Sequence, residues 1–167
     1  LTPSISDKAG AKPLKVRKGE ITYQAISFGY TGGKQVLNDI SFDIGPGQKI
    51  ALVGQSGEGK STIANLMLRF YELESGRVMI DGKDITEVTQ SSLRKNIGVV
   101  FQEPALFSGT VGENIAYGSG KVSRQKLEAA AKAANALGFI QKLDKGFDTQ
   151  IGERGVKLSG GQKQRIA

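Results

Sequence analysis

The sequence predicts an α/β fold with a mostly parallel core sheet, an antiparallel β pair ahead of it and a helical section after it. Three observations point there. Ile50-Ala51-Leu52-Val53 is an unbroken apolar run ending in glycine, the pattern of a strand buried on both faces. A glycine-rich loop and an amphipathic helix follow it directly. Farther on, Leu127, Ala130, Ala131, Ala134 and Leu137 form an apolar helical stripe.

Residues 1–19 hold Pro3, Gly10, Pro13 and Gly19 without periodicity and read as a basic linker, so the domain is expected to begin near Glu20. Ile21, Tyr23 and Ala25, then Ile26, Phe28 and Tyr30, alternate as a strand does. Thr31-Gly32-Gly33-Lys34 is a turn, and Ile40, Phe42 and Ile44 alternate again before Gly45-Pro46-Gly47 breaks the chain. Ile63, Leu66, Met67 and Phe70 recur at helical spacing, which predicts a helix from near Lys60 with these four on one face. Arg77–Asp81 with Gly82 reads as a strand and turn, and Ile97–Phe101 as a second core strand. Ser123 is the expected N-cap of the helix carrying the 127–137 stripe, with a short helix expected over 139–143. Ser159 is the expected cap of a last helix.

Composition removes several chemistries. The 167 residues contain no cysteine and no histidine, which excludes disulfides, thiolate and imidazole metal sites, and a histidine general base within them. No run of 18 or more apolar residues occurs, and Leu1-Thr2-Pro3-Ser4 lacks the build of a signal peptide. The net charge is +7, and residues 1–20 alone supply +3 of it. Such a segment suits a cytoplasmic membrane face, an acidic lipid surface, nucleic acid or plain solvent.

The chemistry is carried by two glycine loops. Gly54-Gln55-Ser56-Gly57-Glu58-Gly59-Lys60-Ser61-Thr62 satisfies G-x-x-x-x-G-K-[ST], and it does so between a predicted buried strand and a predicted helix. Glycines there let successive N–H groups converge on a phosphate, the helix N-terminus adds its dipole, Lys60 reaches the β and γ oxygens, and the Ser61 hydroxyl ligates Mg²⁺. This is a P-loop NTPase pattern. The second loop, Leu158-Ser159-Gly160-Gly161-Gln162, is small, polar and placed at a helix start. By its chemistry alone it is an N-cap that could also hold an anion.

Together the two loops, roughly a hundred residues apart, resemble the nucleotide-binding domain of ABC transporters, whose signature motif Leu158–Gln162 and the following Lys163-Gln164-Arg165-Ile166-Ala167 match. Tyr30, in Phe28-Gly29-Tyr30, resembles the aromatic residue on which that family stacks adenine. Gln102, in Val100–Pro104, resembles the glutamine that meets Mg²⁺ and water and senses the membrane domain. Thr149–Gly155 resembles the extra loop of exporter-type members, with Gln150 where that loop usually has Glu. Phe107–Ile115 is similar to exporters of the multidrug and lipid group.

The resemblance covers residues 20–167 and implies an α-helical subdomain over about 103–158. It implies ATP and Mg²⁺ as ligands, with Tyr30 and Gly54–Thr62 holding the nucleotide and Ser61 and Gln102 the metal. Ser159, Gly160, Gly161 and Gln162 would act in trans on the ATP of a second nucleotide-binding domain in a head-to-tail dimer. Lys60 and Gln102 are the catalytic candidates. The implied partners are that second domain and an exporter's transmembrane domain at the cytoplasmic face of the cell membrane, with no nucleic acid. The Mg²⁺-binding Asp, the catalytic Glu and the switch His of the family have no counterpart within these residues, so weak nucleotide binding and negligible turnover are expected of them alone. A soluble ABC ATPase of nucleic-acid metabolism is the alternative, and the exporter-type loop argues against it.

Overall fold

The structure is a computed structural model that describes residues 5–152 and 157–167. The chain divides at Gly98 into two compact units, each with its own core.

The first unit is built on a four-stranded antiparallel sheet in the order β2-β1-β3-β4, with β1 at Ile21–Gly29, β2 at Gln35–Ile44, β3 at Ser75–Ile80 and β4 at Lys83–Asp84. The alternation in β1 changes phase at Ala25–Ile26, and the backbone shows why. Ala25 takes φ 48°, and the register of β1 shifts there against both neighbouring strands. This is a bulge, and it returns Ile26 and Phe28 to the buried face beside Tyr23. Gly76 of β3 makes room for it: at φ +80°, a Cβ on Gly76 would lie 2.3 Å from the Ala25 carbonyl oxygen.

Helix α1, Lys60–Met67, packs its Leu66 on this sheet and accepts a hydrogen bond from the Tyr23 hydroxyl at the Ile63 carbonyl, 3.1 Å away. Burial pushes the Tyr23 phenol well above its ordinary pKa, because the apolar surroundings disfavour the phenolate. Phe70 does not extend the α1 face. The helix stops at Leu68, Arg69 turns left-handed at φ 53°, and Phe70 is left exposed with the Arg94 guanidinium over its ring. Helix α2, Gln90–Lys95, closes the other side of the core with Leu93.

The basic N-terminal segment is attached to this unit. Lys12 makes a parallel bridge with Val88, Leu14 is buried and its N–H donates to the Ser92 hydroxyl, and the Asp81 carboxylate accepts from the N–H groups of Arg17, Lys18 and Glu20. Those backbone donors, Arg17 and then Lys18, hold the Asp81 carboxyl below its usual pKa.

The parallel core sheet is not formed by the described residues. Both sheets are antiparallel, and Ile50–Val53 and Ile97–Phe101, expected as core strands, carry no ladder. Val53 is 93% exposed and Val100 66%. An apolar run records a preference for burial, whereas a strand needs a hydrogen-bonding neighbour as well. No described strand supplies one.

The second unit holds β5 (Gly109–Thr110) paired with β6 (Gln150–Ile151), and helices α3 (Val111–Ile115), α4 (Arg124–Ala133), α5 (Leu137–Ile140) and α6 (Gly160–Ile166). Val111, Ala131, Ile140, Phe147 and Ile166 are its core. Thr110 opens α3 with a reciprocal capping box to Glu113, whose carboxyl is held low by the Thr110 N–H and hydroxyl. Buried Asn114 bonds both the N–H and the carbonyl of Phe107. Ser123 sits at the N-cap of α4, as expected, but its side chain makes no cap bond. Of the predicted stripe Ala131 is buried and Leu127 and Leu137 partly so, while Ala130 and Ala134 are exposed. The short helix expected over 139–143 lies two to three residues earlier, at α5.

Candidate nucleotide-binding site

The loop before α1 is shaped by backbone that only glycine adopts cheaply. Gly57 has φ +90° and Gly59 φ +84°, and a Cβ at Gly59 would stand 2.7 Å from Leu37 Cδ2 of β2. Gly59 is therefore favoured by its dihedral angle, and a Cβ there would also have to displace the buried end of the Leu37 side chain. It is also the N-cap of α1, so the turn delivers the chain into the helix with the first helical N–H groups facing outward.

Lys60 folds back into the loop. Its ammonium donates to the carbonyl of Gly54 at 2.9 Å and to that of Gln55. Glu58 meets the same turn from another side, its carboxylate accepting from the Gln55 N–H at 2.5 Å. The N–H groups of Gly57, Gly59, Lys60 and Ser61 make no hydrogen bond among the described residues. One cation held at the centre of a turn, with several unengaged amide donors beside it, is a donor set suited to a polyphosphate. Ser61 is exposed and Thr62 buried.

Tyr30 is joined to this helix. Its hydroxyl lies 3.0 Å from Thr62 Oγ1, and its ring, 39% exposed, stands edge-on to Tyr71 at 5.1 Å and to Phe28 at 5.0 Å. These rings line an open cleft of about 550 Å³ together with Ile5, Phe70 and Glu72. A cleft walled by aromatic rings suits a flat heterocycle. Tyr71 was not singled out by sequence. Its signal, an aromatic pair just past the last turn of α1, is legible only once the helix end is known.

The other expected site residues lie in the second unit. Gln102 is exposed in the segment following Phe101. Ser159 caps α6 in a capping box: its Oγ accepts from the Gln162 N–H at 3.3 Å, and the Gln162 amide oxygen accepts from the Ser159 N–H at 2.9 Å. Gly160 and Gly161 are exposed, have ordinary dihedral angles, and a Cβ at either would meet nothing within 4 Å among the described residues. Residues 153–155 of the expected exporter loop lie outside the described residues; Gln150–Ile151 before them is β6.

For a metal, the described residues hold no cluster of three or more acidic or imidazole side chains. The Ser61 hydroxyl at the start of α1 fits the way Mg²⁺ is held at nucleotide sites, by one or two protein oxygens and the phosphates themselves. No helix of the described structure is long and apolar enough to cross a membrane.

Comparison with known proteins agrees with the two loops. Residues 37–167 match the ABC transporter family. The chain is 54% identical over 169 residues to an ATP-dependent lipid A-core flippase of Albidiferax ferrireducens, covering 100% of this chain and 29% of that protein. It is 50% identical over 163 residues to human ATP-binding cassette sub-family B member 6, covering 98% of this chain and 19% of the relative. Against an ATM1-type heavy metal exporter of Novosphingobium aromaticivorans the identity is 48%, covering 98% and 27%. A solved bacterial Atm1-family ABC exporter with ATP bound superposes with a TM-score of 0.91 at 48% identity, over 97% of this chain and 29% of that one. The chain thus spans less than a third of the length of these relatives. With a family match across 131 of 167 residues and a glycine loop folded around its lysine, the chain belongs to the ABC transporter family and carries its ATP-binding region.

Proposed function

We propose that this chain is the ATP-binding part of an exporter that couples ATP binding and hydrolysis, in a head-to-tail dimer, to movement of a substrate out across a membrane. Lys60 and the amides of Gly54–Thr62 hold the β- and γ-phosphates, and the Tyr30 ring takes the base. Ser61 and Gln102 are the residues that would hold Mg²⁺, which when bound spreads the charge that develops on the phosphoryl oxygens. Ser159, Gly160, Gly161 and Gln162 of one copy complete the site around the γ-phosphate held by Lys60 of the other. The segment 1–19 would lead from a membrane domain to an ATPase domain formed from residue 20 onward, against which it docks through Lys12 and Leu14, with 103–158 the helical part of that domain. The relatives differ in the cargo their names give, so their names point to no single cargo for this chain.

The observation that carries the in-trans reading is the pair Gly160–Gly161. Gly59 and Gly76 are explained by the chain's own packing, but a side chain at Gly160 or Gly161 would meet nothing within 4 Å among the described residues. Two adjacent glycines at a helix start that the described fold does not need support the reading that another molecule approaches closely there. In the intact protein, Gly161→Asp should leave ATP binding within about twofold while hydrolysis falls by about a hundredfold or more, since a carboxylate would stand against a phosphate. Unchanged phosphate release by that variant would refute the arrangement.

A further inference from the structure

The N-terminal segment reaches the aromatic cleft, and one buried cation holds it there. Arg69 is 3% exposed, in the left-handed turn that ends α1. Its Nε and Nη2 donate to Glu72 Oε1 at 3.1 and 2.9 Å, and Nη2 also donates to the Ser6 carbonyl at 3.1 Å. Its Nη1 lies 3.9 Å from Asp7 Oδ1. That Asp7 oxygen accepts from the Gln90 N–H at 2.9 Å and from Gln90 Nε2 at 3.3 Å, and Gln90 Nε2 also donates to the Ile5 carbonyl at 3.4 Å. Three consecutive residues are thus fixed between α1 and α2. Ile5 and Glu72, one at each end of this clasp, both line the cleft with Phe28, Tyr30 and Tyr71.

We infer that Ile5 forms a wall of the nucleobase-binding cleft, with Ser6 and Asp7 clasped by Arg69 and Gln90 as the positioning residues that hold it. This rests on the reading of Tyr30 and Gly54–Thr62 as a nucleotide site. An aliphatic side chain beside three rings adds an apolar surface that a purine can cover, and stacking against such walls contributes to affinity without help from the phosphates. The wall belongs to a segment that is otherwise zipped to the unit through Lys12, Leu14 and Asp81, so its place depends on that zipper. Docking of the segment and affinity for the base are therefore coupled, and reciprocally so.

The test separates base from phosphate. Binding of ATP and of inorganic tripolyphosphate to the intact protein would be measured by calorimetry for the parent, Ile5→Ala, Ile5→Leu and Asp7→Ala. Ile5→Ala and Asp7→Ala should weaken ATP about fivefold to tenfold and leave tripolyphosphate unchanged, with Ile5→Leu close to the parent. Equal loss of both ligands would show that the segment only supports the fold, and no loss of ATP would show that it does not line the site; either overturns the inference. The phosphate-loop reading is judged separately by Lys60→Ala, which should lose tripolyphosphate as well as ATP.

Discussion

At the scale of single residues, Lys60 and Gly59 divide the work of the first loop between charge and shape. Lys60 places an ammonium against the carbonyls of Gly54 and Gln55, where a polyphosphate would trade two neutral acceptors for charged ones. Lys60→Ala should therefore weaken ATP by about a hundredfold or more while leaving the melting temperature nearly unchanged, because the ammonium anchors only loop carbonyls. Titration of a fluorescent ATP analogue checks this, and parent-like binding by the variant would rule the assignment out. Gly59→Ala tests shape. A left-handed alanine and a Cβ 2.7 Å from Leu37 Cδ2 together should cost about 2–3 kcal/mol in urea unfolding. Both residues were legible in the sequence, because the loop pattern specifies lysine and glycine by position. Tyr30 was legible by resemblance only. Its bond to Thr62, in the first turn of α1, and its contact with Tyr71, past the last, arise where the end of β1 meets that helix, and no local pattern encodes the meeting.

Among the elements, β1 shows how a sequence can state a structural detail without naming it. Its hydrophobic alternation slips by one residue at Ala25–Ile26, and since side chains alternate with period two, only a bulge can keep both halves facing the core. The structure places that bulge at Ala25, with Gly76 opposite it. Ala25→Gly should stabilise the unit by about 0.5–1 kcal/mol, since glycine carries no penalty at φ 48°. Gly76→Ala should destabilise it by more than about 2 kcal/mol, because the new Cβ would press on backbone. Chemical denaturation of the two variants measures both, and a reversed sign in either would remove the bulge account. The attachment of the N-terminal segment was not legible, because it depends on a carboxylate sixty residues away. Asp81 accepts from the N–H groups of Arg17, Lys18 and Glu20, and these hold its folded-state pKa below the ordinary value near 4. A depressed carboxyl stabilises fully above its unfolded pKa, and that contribution is lost as pH falls from about 4 through the lower folded value. Asp81→Asn should therefore flatten the acid side of the stability curve in that window. Protection of the Arg17 and Lys18 amides against hydrogen exchange, relative to their intrinsic rates, should fall in parent protein over the same range.

For the whole molecule, the α/β P-loop fold that the sequence predicts is the fold shared with the solved ABC exporter, while the parallel ladder expected within it is not formed among the described residues. Ile50–Val53 and Ile97–Phe101 are apolar enough to be core strands, yet a parallel ladder is entirely non-local, and hydrophobicity specifies neither the neighbour nor the order. The antiparallel hairpin of β1 and β2 was readable because its turn lies between its strands. The site divides in the same way. Each glycine loop is encoded locally, within nine residues or fewer, whereas the proposed pairing of one with the other would be a property of two chains. That pairing predicts complementation. A dimer of Lys60→Ala chains lacks the lysine at both sites, and a dimer of Gly161→Asp chains lacks an open signature loop at both, so each alone should be inactive. In a mixed dimer of the two intact proteins, one composite site carries both defects. The other combines the unaltered Lys60 of one chain with the unaltered Gly161 of its partner. If the loops act across the interface, co-expressed and doubly purified mixed dimers regain one complete site and hydrolyse ATP at up to about half the parental rate, while each pure variant stays near background. If both loops serve the same chain's nucleotide, every site in the mixed dimer carries one defect, and phosphate release stays at background. The two arrangements thus give opposite answers with the same pair of substitutions.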